Sequence, residues 1–175
     1  LIFNPDGSVN VISGVVEIGT GTKTILAQMV ADQLKMDISR VFVQMDVLTK
    51  STPEHWKTVA SRGTLMAGRA VSHACQDVIN QLKRIASIVL KAPIEDMEIG
   101  NETVYWREEP SKALSYKELA YGYSYPGGNA IGGQIIGRGS YIIPGITTLD
   151  KETGAGKPGP EWTVGAQGIE IEYNP

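Results

Sequence analysis

The sequence predicts an α+β fold in two layers, with long helices packed on a mixed, mostly antiparallel sheet and a second small strand-rich lobe. Three observations predict it. Apolar residues recur at steps of three and four in two separate stretches, the mark of amphipathic helices. Short β-branched or alternating stretches surround both. Strand and helix alternate only in the first half and strands dominate later, which argues against a doubly wound parallel sheet. The lobe boundary is expected near 92, with residues 1–92 forming an α+β lobe and 93–175 a strand- and glycine-rich lobe.

In chain order, Asp6-Gly7 is a turn signal. Val9, Val11, Ile12, Val15, Val16 and Ile18 then predict a strand, bulged at Gly14. Ile25, Leu26, Met29, Val30 and Leu34 predict the first helix, and Val41, Val43 and Met45 a strand. Thr49 to Arg62 is polar and irregular, with Pro53 and Trp56; a loop of that length in a compact domain is often functional. Val71, Cys75, Val78, Leu82, Ile85 and Val89 form the clearest stripe, predicting a helix from Thr64 to Leu90 that Pro93 ends. Met97 to Trp106 predicts a hairpin around Gly100-Asn101. Ser115 followed by Glu118 has capping-box spacing, so a short helix is expected from Ser115 to Tyr121. Strands are expected over Gln134 to Tyr141 and over Val164 to Tyr173, the second with Ile169 and Ile171 on one face and Glu170 and Glu172 on the other.

Composition narrows the function. The chain has 175 residues, 42% hydrophobic and 20% charged, with net charge −3, which is ordinary for a globular protein. No basic face points to nucleic acid, and no apolar run approaches the roughly 20 residues that cross a membrane. The single cysteine, Cys75, forms no internal disulfide and builds no zinc or iron–sulfur site alone. A reducing, cytoplasmic setting is expected. The start at Leu1, not Met, within a strand–turn sequence reads as a piece of a longer protein.

Two segments share one design. Ile18-Gly19-Thr20-Gly21-Thr22-Lys23-Thr24 leads into the first helix, and Ala60-Ser61-Arg62-Gly63-Thr64 leads into the second. Helix N-termini offer free N–H groups and the positive end of the macrodipole to an anion. Glycine admits close approach to the backbone, and hydroxyls add donors. Two such ends aimed at one point suit a ligand with two phosphates. On the plainer reading, Ser61 and Thr64 are helix caps, since the chain lacks the GK[ST] of a P-loop and the full GxGxxG. Other residues read as structural. His73 faces away from the apolar stripe and reads as solvated surface. His55 has no Cys or second His nearby, Cys75 lies in the stripe, and Glu108-Glu109 is a solvated charge pair. No Ser–His–Asp or paired-carboxylate arrangement stands out.

Taken in order, these segments resemble the xanthine dehydrogenase / aldehyde oxidase family of molybdenum hydroxylases. Gly14-Val15-Val16-Glu17-Ile18-Gly19-Thr20-Gly21-Thr22-Lys23-Thr24 resembles the family's E-x-G-Q-G-x-x-T loop. Thr52-Pro53 and Thr58-Val59-Ala60-Ser61-Arg62-Gly63-Thr64 resemble its T-x-P and T-x-A-S-R-x-T segment. Gly68-Arg69-Ala70-Val71 with Ala74-Cys75, Ile136 to Tyr141, and Thr163 to Gln167 resemble further family segments. The chain departs from the family at Thr20, where the family usually has glutamine.

The resemblance implies a cofactor, a molybdenum–molybdopterin, in many bacterial members the cytosine dinucleotide. It assigns Ile18, Gly19, Thr20, Gly21 and Thr24 to one side of that cofactor and Ala60, Ser61, Arg62, Gly63 and Thr64 to the other, making residues 1–92 the cofactor-binding lobe. The family's catalytic glutamate lies downstream of the last matched segment, so no catalytic and no metal-ligating residue is assigned. The expected partners are the remaining molybdopterin-binding domain, iron–sulfur and FAD domains or subunits, and a small-molecule substrate: a purine, other N-heterocycle or aldehyde. The chain alone is expected to be inactive. The contrasting reading is a non-redox α+β binding module whose Gly/Thr loops only cap helices.

Overall fold

The computed structural model describes residues 1–59, 61–159 and 165–174. They form two compact units, Leu1–Ile142 and Ile143–Pro175. In the first unit, β1 (Ile2–Phe3) pairs antiparallel with β2 (Val9–Ile12), and β2 pairs parallel with β3 (Val41–Gln44) in the register Val9↔Val41 to Ile12↔Gln44. The parallel pair requires a crossover, and α1 (Thr22–Leu34) supplies it. Of the predicted stripe, Leu26, Val30 and Leu34 are fully buried there, and Ile25 and Met29 are half-buried. Lys35 ends the helix in the left-handed conformation at φ 51°.

α2 (Gly68–Leu90) is entered through one turn of π-helix, Gly63–Ala67. Its buried side includes Val71, Cys75, Val78, Leu82 and Ile85, as the periodicity predicts, and Val89 packs partly buried against the same core. The antiparallel sheet β4 (Met97–Gly100), β5 (Thr103–Trp106) and β6 (Glu109–Ser115) follows. Asn101 and Glu102 both have positive φ, 47° and 58°, the geometry of a two-residue hairpin turn matched to strand twist. α3 (Tyr116–Leu119) carries the predicted capping box at Ser115 and Glu118, and β7 (Tyr123–Ser124) pairs with β8 (Ala130–Ile131).

The expected boundary at 92/93 falls inside this first unit. Tyr116 is fully buried, donates its hydroxyl to Leu34 O at 2.6 Å, and meets Phe3 edge-on at 5.5 Å between ring centroids. One core therefore draws on residues from both sides of position 92.

Three expected features differ. The strand foreseen through Ile18 stops at Ile12: the carbonyl of Pro53 and His55 lie where a side chain at position 14 would go, so the loop after β3 covers this stretch of chain. Gln134 to Tyr141 forms no strand beyond an isolated bridge from Ile136 to Ile2. Phe3 N–H donates to Ile135 O and Gly137 N–H to Leu1 O, so the segment does run beside β1, while Gly137 and Gly139 lie against the α2 backbone, where a side chain on Gly139 would strike Ala70 O, and the pairing stays short. Residues 165–174 form no strand either, and Ile169, Ile171 and Tyr173 are exposed; alternation marks a face but supplies no partner backbone. Val164, where that strand was expected to begin, lies outside the described residues.

In the second unit, a turn is organised by Asp150, whose carboxylate accepts from the N–H groups of Glu152 and Thr153 and from Thr153 Oγ1. Thr147 N–H donates to Lys157 O at 2.9 Å across it.

Candidate functional site

α1 and α2 run parallel, so their N-terminal ends lie together. Three contacts in order establish this. A Cβ at Gly63 would sit 3.7 Å from Thr22 Oγ1, one at Gly68 would sit 3.0 Å from Met29 Cε, and Gln33 Nε2 donates to Ser72 Oγ at 2.9 Å. Each pair advances along both helices in the same direction. The two Gly/Thr segments singled out in the sequence therefore meet at one end of the helix pair.

The first segment is an exposed loop. Ile18, Gly19, Thr20 and Gly21 face solvent, and Gly21 is the N-cap residue. Gly19 at φ 91° and Gly21 at φ 72° adopt left-handed backbone, which glycine reaches without steric cost. A Cβ on either would meet nothing within 4 Å, so the space over the loop is open. Thr20 Oγ1 lies 2.8 Å from Thr22 Oγ1, which links the loop to the buried Thr22 beside Gly63. Thr24 is exposed on the first helical turn.

The second segment arrives over the long loop. Val16 N–H donates to Thr58 Oγ1 at 3.1 Å, fastening that loop to the chain segment before Gly19. Trp56 is stacked by Lys57 Nζ at 4.7 Å and by Arg62 at 4.6 Å from its ring centroid. Ser61 is exposed with φ 55°, Arg62 takes the N-cap position, Gly63 opens the π-turn and Thr64 is exposed within it. Neither Ser61 nor Thr64 is the N-cap residue, so the plainer capping reading of those side chains does not hold. A π-turn at a helix start is rare and frequent at functional sites. Ala60 lies outside the described residues.

One residue whose role the sequence did not disclose dominates the first helix tip. Glu17 folds its carboxylate under the Gly19–Gly21 loop. Oε1 accepts from the N–H groups of Gly19 at 2.8 Å and Gly21 at 3.0 Å, and Oε2 from that of Lys23 at 3.0 Å. The Lys23 N–H, followed by those of Gly21 and Gly19, holds this carboxyl below its ordinary range. Donors expected to face a ligand at this tip are thus already engaged. The available signal was a glutamate four residues before the N-cap glycine.

The remaining candidates are placed as follows. Cys75 is fully buried and burial pushes its thiol up to about 12, leaving it in the unreactive form. His73 is more than solvated surface: its Nδ1 lies 2.7 Å from Ser140 O and its ring meets Tyr141 edge-on. Glu108 and Glu109 are exposed, as expected of a solvated charge pair, and Glu109 also pairs with Lys112 at 2.6 Å on the surface. Beside the loop, a cleft of about 590 Å³ runs between Gly14, His55, Met66, Ala70 and Gly139.

The family model for the molybdopterin cofactor-binding domain matches residues 1–175. Aldehyde oxidase 2 of Cavia porcellus is 32% identical over 169 residues, covering 97% of this chain and 10% of that protein. The putative xanthine dehydrogenase molybdenum-binding subunit XdhA of Escherichia coli (strain K12) is 31% identical over 121 residues, 69% of this chain and 16% of that one. Among solved structures, quinoline 2-oxidoreductase from Pseudomonas putida 86 superposes with a TM-score of 0.61 at 31% identity, covering 69% of this chain and 15% of its own. The chain thus spans a small part of each relative it matches.

Proposed function

Because the chain belongs to the molybdopterin cofactor-binding domain family, we propose that it forms one wall of the molybdenum cofactor site in a xanthine dehydrogenase/aldehyde oxidase-type hydroxylase. The observation that carries this reading is the parallel helix pair, which brings the Thr22 and Gly63 ends together under an open glycine loop.

The residues present fit such a guest. The space over Gly19 and Gly21 admits a flat ring system close to the backbone. Thr20, Ser61 and Thr64 offer hydroxyls, and the start of the π-turn offers N–H groups at the positive end of α2. On this reading Ile18, Gly19, Thr20, Gly21 and Thr24 hold the pterin side. Ala60, Ser61, Arg62, Gly63 and Thr64 hold the phosphate side, in a cytosine dinucleotide form. Thr20, shorter than the family's usual glutamine, bonds back to Thr22, so the loop contributes its shape more than a reaching side chain. Bound there, the cofactor supplies the metal chemistry by which a purine, other N-heterocycle or aldehyde is hydroxylated with oxygen from water. The rest of the molybdopterin-binding subunit completes the pocket, iron–sulfur and FAD domains or subunits take the electrons, and the assembly works in the cytoplasm.

Metal and nucleotide analysis of the assembly containing this chain tests the proposal. Molybdenum together with CMP released by acid hydrolysis is expected. Molybdenum without CMP removes the cytosine dinucleotide form, and absence of molybdenum removes the cofactor reading altogether.

A further inference from the structure

We propose that Glu17 is a positioning residue: its carboxylate is the built-in anion of the α1 tip, shaping the Gly19–Gly21 loop and leaving the π-turn at Gly63 as the place for a ligand's phosphate. This rests on the proposed cofactor site and gives a physical reason for its division into a pterin side and a phosphate side.

Both carboxylate oxygens are used. Oε1 takes the Gly19 and Gly21 N–H groups and approaches Thr20 Oγ1 at 3.4 Å, while Oε2 takes Lys23 N–H. Every partner is a donor in this arrangement, and a carboxylate is the side-chain group that accepts at both ends. A glutamine amide would set its NH₂ against one of those N–H groups. The two left-handed glycines turn successive N–H groups inward onto one anion, the concave geometry known from backbone anion sites. A Cβ added at Gly19 or Gly21 would meet nothing within 4 Å, so the loop stays open to a guest while Glu17 occupies its N–H groups. An external phosphate arriving at this tip would find these donors taken and a like charge waiting. The π-turn that leads into α2 differs: no side chain caps its first N–H groups, and its N-cap residue is Arg62, a side chain with no acceptor and a positive charge.

Hydrogen exchange read by mass spectrometry on the assembly, prepared with and without cofactor, tests this. In wild-type protein without cofactor, the amides of residues 19–23 are expected to be protected, and inorganic pyrophosphate is expected to add protection over 62–65 but not over 19–23. Glu17→Gln is expected to speed exchange at 19–23 by roughly tenfold, the effect of losing a charge-assisted bond, while α2 core amides stay unchanged. In Glu17→Ala, pyrophosphate is expected to restore protection at 19–23. Pyrophosphate protecting 19–23 in wild type overturns the proposal, as does unchanged exchange in Glu17→Gln. The wild-type measurement needs no variant to fold. Lack of molybdenum in wild-type protein would sink the cofactor reading while leaving the Glu17–loop protection in place, so the two failures are distinguishable.

Discussion

A methyl group added at position 63 would lie 3.7 Å from Thr22 Oγ1 and 3.8 Å from Val15 Cγ2. Those are ordinary van der Waals distances, so Gly63→Ala should leave the protein's melting behaviour close to wild type. The same methyl group would stand where the two helix ends meet, on backbone that a phosphate must approach within hydrogen-bond reach. Loss of one such contact weakens binding on the order of tenfold. The expected outcome is therefore a normally folded variant with reduced cofactor content, measured as molybdenum and CMP per chain. Wild-type content in Gly63→Ala would take this glycine out of the cradle.

Elements declared themselves in the sequence to different degrees, for physical reasons. The α2 stripe was legible because a long helix buries one face whatever packs on it, and its period of 3.6 is intrinsic. The capping box was legible because Ser115 and Glu118 satisfy each other locally. Ser115→Ala is expected to lower stability by about 1 kcal/mol, read as a lower urea midpoint with an unchanged slope. Strands are harder, since a ladder belongs to two segments at once. Ile135 is buried as an interior residue should be, yet the glycines around it serve close approach to α2 and not strand continuation. The two helix ends were legible as Gly/Thr segments, and their meeting follows from the parallel course of α1 and α2. What filled the first of them was not legible: Glu17 sits outside the usual N-cap position, and only the left-handed turns at Gly19 and Gly21 bring their N–H groups onto it.

Across the whole chain, carboxylates hold the loops. In the first unit, Ser8 lowers the Asp6 carboxyl, the Lys23 N–H lowers Glu17, the Ser39 N–H lowers Asp37 and Arg107 lowers Glu98. In the second, the Thr153 N–H lowers Asp150. Each folded pKa is thus below its unfolded value, 3.8 for aspartate and 4.5 for glutamate. The unfolded chain binds more protons over that window, so each contribution is fully present above the unfolded value and is lost as pH falls through the folded one. These groups are exposed, so each contributes little, and their effects accumulate across separate loops. The urea midpoint should therefore be level from neutral pH to about 5 and should fall below about 4, where these carboxylates protonate. The first amides to lose exchange protection in acid should include those of residues 19–23, because their acceptor is the Glu17 carboxylate. A midpoint that holds level to pH 2, with 19–23 still protected, would show that these carboxylates do not fasten the loops.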